Sequence, residues 1–213
     1  GWRLGLPVDN STRYTMSAED EMIYIFTHYA KHYRDAGVGI KHILDLWVYK
    51  NSNPNLNNKY LLSELKRLQL DLFYKNTMDT LEVWFANSEP TEITEFITQV
   101  IFNSGVYGTH RAHILSDAVK TSKTVGTARK TKLKKVIDIV FLPYSSMAMK
   151  YPFLKKTPVL LPFMWVVRWF EAIFIKKGAI KSNRDNLKIL SAENINDYQS
   201  ALNYVGLDFN FKE

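Results

Sequence analysis

The chain has 213 residues, 46% of them apolar and 23% charged, ordinary values for a globular protein and too apolar for a disordered one. It contains no cysteine, which excludes a disulfide framework, thiol catalysis and cysteine-based zinc sites together. A net charge of +7 favours polyanionic company: nucleotide phosphates, nucleic acid or an anionic lipid surface.

Gly1 to Met16 reads as a short mixed arm without the apolar run of a secretory signal. Ser17 ahead of Glu19, Asp20 and Glu21 predicts a helix start, with a hydroxyl cap and carboxylates where the helix dipole favours them. Met22, Phe26, Tyr29 and Tyr33 then recur at helical spacing to about Arg34. Gly37 and Gly39 break that helix. A second, Ile40 to Lys50, is apolar almost all round (Ile43, Leu44, Leu46, Trp47, Val48) and is expected to be buried, Asp45 with it. Asn51 to Asn58 is a predicted loop. Helices are expected over Lys59–Leu68, Leu70–Phe85, from Ser88 to about Phe102, and Arg111–Val119, with Gly105 and Gly108 marking a turn.

Lys120 to Lys135 carries seven positive charges and no acid, and its first half reads as a basic loop. Val136 to Leu142 should end a helix at Pro143. Prolines 152, 158 and 162 mark a connector, Phe163 to Lys177 an aromatic-rich helix, and Glu193 to Tyr204 the last one. The expected fold is all-α, an irregular multi-helix bundle with at most a short β element near the N-terminus. Its expected parts are an arm (1–16), a helical domain (17–119), a basic loop or linker (120–131) and a C-terminal helical subdomain (132–213).

The chain has no Gly-x-Gly-x-x-Gly, no Walker-type loop and no Asp-x-Asp. Glu19 and Glu21 are the nearest comparable pair, but two residues on a helix diverge by about 200° and cannot clamp one ion. Two-metal nucleotidyl transfer needs convergent carboxylates. The more suggestive cluster is His28, Lys31 and His32, which share a helical face. Three readings stand for it: polar packing, contact with an anion or nucleotide, or a metal site lacking an evident third ligand. Asp45, if buried, needs a partner, and His28, Lys31 and His32 are the candidates. His110 and His113 read as surface residues. The basic run is a solvated loop, a nucleic-acid contact or a membrane contact. The aromatic segment after Pro162 is too short to span a bilayer; it packs in a core, lies at an interface or docks a partner.

Five strings occur in an informative order: Ser17-Ala18-Glu19-Asp20-Glu21; Thr27-His28-Tyr29-Ala30-Lys31-His32; Gly37 through Tyr49; Ser104-Gly105-Val106-Tyr107-Gly108-Thr109; and Tyr151-Pro152-Phe153-Leu154-Lys155-Lys156 leading to Leu161 through Arg168. Over roughly residues 14 to 177 this resembles the family of uncharacterised bacterial nucleotidyltransferases. Its members read S-P-E-D, H-x-x-K-H and G-I-G-x-R-x-x-L-D-x-W-V-Y. Lys41 stands here for the more usual arginine.

The resemblance implies a polymerase-β-like core, with a Gly-Ser turn and an Asp-x-Asp metal site, preceding these strings. It also implies a bacterial, cytoplasmic enzyme moving a nucleotidyl group from an NTP to an unknown acceptor with Mg²⁺. No catalytic residue carries over, so this chain alone is expected to be inactive. His28, Lys31, His32 and Asp45 carry over only as positions near nucleotide or substrate. The alternative is a non-enzymatic helical module binding nucleic acid, through residues 120–135, or a protein partner.

Overall fold

The computed structural model describes residues 5–8, 12–105, 108–125, 128–174 and 177–211. The chain divides into two compact units, one of residues 1–113 with 197–213, the other of residues 114–196. The first opens on two short antiparallel strands, β1 (Leu6–Pro7) and β2 (Tyr14–Thr15), with Leu6 opposite Thr15. There follow α1 (Ala18–Asp35), α2 (Ile40–Ser52), α3 (Asn58–Arg67), α4 (Asp71–Phe85) and α5 (Glu92–Ser104). The division falls within α6 (His110–Val125) and again within α11 (Ala192–Tyr204). Between them run α7 (Ala128–Val140), α8 (Tyr144–Lys150), 3-10 turns at Pro152–Lys155 and Pro158–Leu160, α9 (Leu161–Phe174) and α10 (Lys177–Ile189). The fold is all-α with one short β element near its start.

Local chemistry sets the helix ends. Ser17 Oγ accepts the Asp20 N–H at 3.1 Å and caps α1. Thr91 and Thr94 cap α5 reciprocally, each hydroxyl accepting the other's N–H, at 3.3 and 2.8 Å. Gly37 ends α1 at φ +89°, where a Cβ would stand 2.3 Å from Ser104 Oγ. A Cβ on Gly108 would stand 2.1 Å from the Ala36 carbonyl oxygen. The two glycines thus let the end of α1 press against the α5–α6 connection, where the Thr109 N–H donates to Ala36 O at 2.8 Å.

Met22, Phe26, Tyr29 and Tyr33 are buried, as their spacing predicts. They meet Phe73 of α4, which stacks on Tyr29 at 5.5 Å between ring centroids and lies 5.6 Å from Phe26 and 5.0 Å from Tyr33. Leu61 and Leu65 of α3 with Ile97 and Ile101 of α5 extend this core. The C-terminal residues close it. Arg34 is 6% exposed and lies over the rings of Phe209 and Phe211, at 5.5 and 4.8 Å, while Asp35 takes its guanidinium in a two-point bond. Asn76 Nδ2 donates to Val205 O at 3.0 Å.

The structure corrects three expectations. First, α2 is buried on one side only, through Ile43 and Leu46. Ile40, Leu44 and Val48 are exposed, and so is Asp45. It packs on α1 and reaches α4 through Trp47–Phe85 and Lys50–Glu82, and nothing covers its outward arc among the described residues. Second, the stretch expected to be a basic loop is helical on both sides of residues 126–127, which lie outside the described residues. Lysine and arginine form helices well once a few buried positions anchor them, and here Ala118, Val119 and Thr131 are buried. Third, the helix that starts at residue 177, α10, was hidden by its polar composition; α9 is described as far as Phe174, and residues 175–176 lie outside the described residues. The unit of residues 114–196 has a small core of Met147, Ala148, Leu154 and Met164. Trp165 packs beside it, and Trp165 and Trp169 donate their indole N–H groups to Leu142 O and Val140 O.

Candidate functional site

On α1 the histidine face lies to one side of the core face, about 110° round the helix from the stripe of Met22, Phe26, Tyr29 and Tyr33. One helical turn brings His28 and His32 together, with their Nε2 atoms 3.1 Å apart and rings edge-on at 4.4 Å. The connection from α1 to α2 is short, so the two helices run antiparallel. At one end of the hairpin, the Tyr49 hydroxyl donates to Ala18 O or Glu21 Oε2, both at 3.0 Å. Burial and that carboxylate push the hydroxyl's pKa up to about 12. At the other end, the first turn of α2 brings His42 to 5.3 Å from the His32 ring. Tyr24 stacks on the far side of His28 at 6.3 Å.

Three imidazoles therefore line this end of the hairpin, with exposed Lys31 and Lys41 on the same two helices. Burial lowers the pKa of His32, and the positive fields of His28 and His42 lower it further; Asp35 opposes this and Lys31 adds to it. Protonation of His32 is thus disfavoured by its burial and its basic neighbours. The Nδ1 atom of half-buried His42 has no hydrogen-bond partner. Such a face suits an anion, whose oxygens accept from imidazole and ammonium alike.

Asp45 does not join the cluster. It makes no hydrogen bond or ion pair among the described residues, because its position on α2 points about 130° away from the middle of the packed arc. The pairing expected from its presumed burial is absent for that reason. His42, by contrast, is the residue that reading by motif passed over. A four-residue connection between antiparallel helices sets the first turn of one beside the last turn of the other, and that was the available signal. His110 and His113 are exposed, as expected.

The carboxylates of the first turn are each engaged separately. Glu19 accepts the Asn57 N–H at 2.8 Å, Asp20 accepts from the Tyr60 hydroxyl at 2.9 Å and from Ser17, and Glu21 faces Tyr49. Among the described residues no group of three His, Asp or Glu side chains is placed to hold a metal ion. The described residues therefore do not fit the Mg²⁺ that the resemblance implies, and the 3.1 Å histidine contact has the length of a hydrogen bond.

A cavity of about 330 Å³ opens beside the end of α1, walled by Tyr33, Phe96 and Tyr198, with Gln99 and Asn103 at its rim and Ser104 within. The Tyr33 side chain is 4% exposed and its hydroxyl has no hydrogen-bond partner. Aromatic walls with a few amide and hydroxyl groups are the make-up of a small-molecule pocket.

No curated protein and no solved structure matches the chain. Residues 2–86 match the model of a family described as uncharacterised nucleotidyltransferase, a stretch that contains β1, β2, α1 to α4 and every residue of the histidine cluster. Over those residues, about two fifths of its length, the chain is similar to the uncharacterised nucleotidyltransferase family.

Proposed function

We propose that this chain is the helical portion of a nucleotidyltransferase, and that the end of the α1–α2 hairpin receives phosphate oxygens of an NTP or of the acceptor. The observation that carries this reading is the cluster of His28, His32 and His42 beside Lys31, all within the family-matched stretch. Burial lowers the His32 pKa most, and the fields of His28, His42 and Lys31 add to it; an anion would offset those fields, so phosphate binding and protonation of His32 favour each other. The Mg²⁺ and the carboxylates that hold it are assigned to residues outside this chain, since its own first-turn acids are bonded apart. The acceptor is left open. A nucleic-acid module is the second reading, supported by the basic residues of α6 and α7.

The test is a titration of the purified chain with metal-free NTP, followed through the histidine ring resonances. Signals of His28, His32 and His42 should shift, and affinity should fall as pH rises through the His32 titration. His32→Gln should weaken binding several-fold. Nucleotide shifts confined to other residues would remove the site. Incubation with NTPs, Mg²⁺ and a panel of acceptors should give no transfer by this chain alone; robust transfer would place the catalytic carboxylates within it.

A further inference from the structure

On α9 every exposed residue is apolar: Pro162, Phe163, Val166, Phe170, Ile173 and Phe174. The exposures are large, 65% for Phe163, 59% for Phe170 and 69% for Phe174. At 100° per residue the five beyond the proline fall within an arc of about 100°, one continuous stripe. The helix's polar side chains turn the other way. Arg168 donates to Val140 O, and Glu171 accepts from the Tyr151 hydroxyl at 2.9 Å and pairs with Lys150. The stripe continues backward into the 3-10 turn, where Val159 is 87% exposed. Water-soluble surfaces seldom leave a contiguous apolar face of this kind without an occupant.

Charge indicates the occupant. Residues 114–196 hold sixteen Lys and Arg against five Asp and Glu, a balance of +11, whereas the rest of the chain sums to −4. Lys155 and Lys156 are exposed just before the stripe, and in sequence Lys176 and Lys177 follow it. We propose that the outward face of α9 lies in the surface of an anionic lipid bilayer. The Phe side chains and Val159 enter the acyl boundary, and Lys155 and Lys156 sit among the phosphates. Ile173 belongs both to this face and to an apolar cavity of about 780 Å³ lined by Val136, Ile139, Trp169 and Leu187, which gives acyl chains depth as well as area. The attachment is peripheral: fourteen residues rise only about 21 Å, and no helix among the described residues is long and apolar enough to cross a membrane.

Two other occupants fit less well. A second copy would bring two units of +11 together. Nucleic acid would use the charge but leave Val159, Val166 and Ile173 without the stacking that bases offer. This inference does not rest on the nucleotidyltransferase reading, and its test involves no nucleotide.

The test is co-sedimentation of the full chain with vesicles of phosphatidylcholine alone and of roughly 3:1 phosphatidylcholine and phosphatidylglycerol. Binding to the anionic vesicles, weakened but not abolished at about 0.5 M salt, is expected. The triple variant Phe163→Ser, Phe170→Ser, Phe174→Ser should lose at least about tenfold in partitioning while keeping its helical circular dichroism. Val159→Ser, on a turn where refolding is not at issue, should show a smaller loss in the same direction. Equal binding by wild type and both variants, or no preference for anionic vesicles, overturns the proposal. So does a concentration-dependent dimer in sedimentation velocity that the triple variant abolishes, or an oligonucleotide that binds with the same dependence on the three phenylalanines.

Discussion

In the unit of residues 1–113 and 197–213, the rings of Phe26, Tyr29, Tyr33 and Phe73 are buried against one another, and Phe209 and Phe211 cover a buried arginine. Between residues 114 and 196 no aromatic side chain among the described residues is buried; Phe163, Phe170 and Phe174 are more than half exposed, and the core is made of methionine, leucine and alanine. The two regions spend the same residue types differently. In the first, aromatic area stabilises the fold. In the second, it is held outward on a cationic surface, where it contributes little to folding and is available for binding.

Substitution should separate the regions most sharply at Phe26. Phe26→Ala removes a fully buried ring that touches Tyr29, Phe73 and Tyr74, and should cost about 3–5 kcal/mol in urea unfolding. A cost below about 1 kcal/mol would mean that this core can collapse around the gap.

A smaller, pH-dependent effect is expected at His32. Its folded pKa lies below the ordinary 6.5, so the folded chain resists a proton that the unfolded chain accepts. The stabilisation is full above pH 6.5 and is lost as pH falls from there through the folded value. Thermal melts should therefore show a midpoint falling on acidification, and His32→Gln should flatten that part of the profile. Equal slopes for the two proteins would show that His32 is not strained by its neighbours.

The smallest effect belongs to the other region. Phe170→Ser should change stability by less than about 0.5 kcal/mol, because the ring is 59% exposed. A loss near that of Phe26→Ala would erase the contrast and make α9 part of a core.

The α1 core stripe, its serine cap and the glycines that end it were legible in the sequence because each depends on spacing within one helix. Asp45 was misread because an all-round apolar composition does not say how many sides of α2 find a neighbour. The helices flanking residues 126–127 were hidden by charge, although lysine-rich helices need only a few buried anchors such as Ala118 and Thr131. His42 and the Tyr33 cavity depend on contacts between helices, which no single-helix periodicity reports.

Arg34 meets the backbone of Phe209 across 175 residues of chain. At the usual pace of translation, α1 leaves the ribosome on the order of ten seconds or more before the phenylalanines that will cover its guanidinium exist. Throughout that interval the first unit is short of its last wall, and residues 114–196 are all made before that wall arrives. The later segment can therefore reach its fold before the earlier one, an order of assembly opposite to the order of synthesis. Arg34, already clasped by Asp35, is held as a solvated ion pair until the tail arrives to bury it.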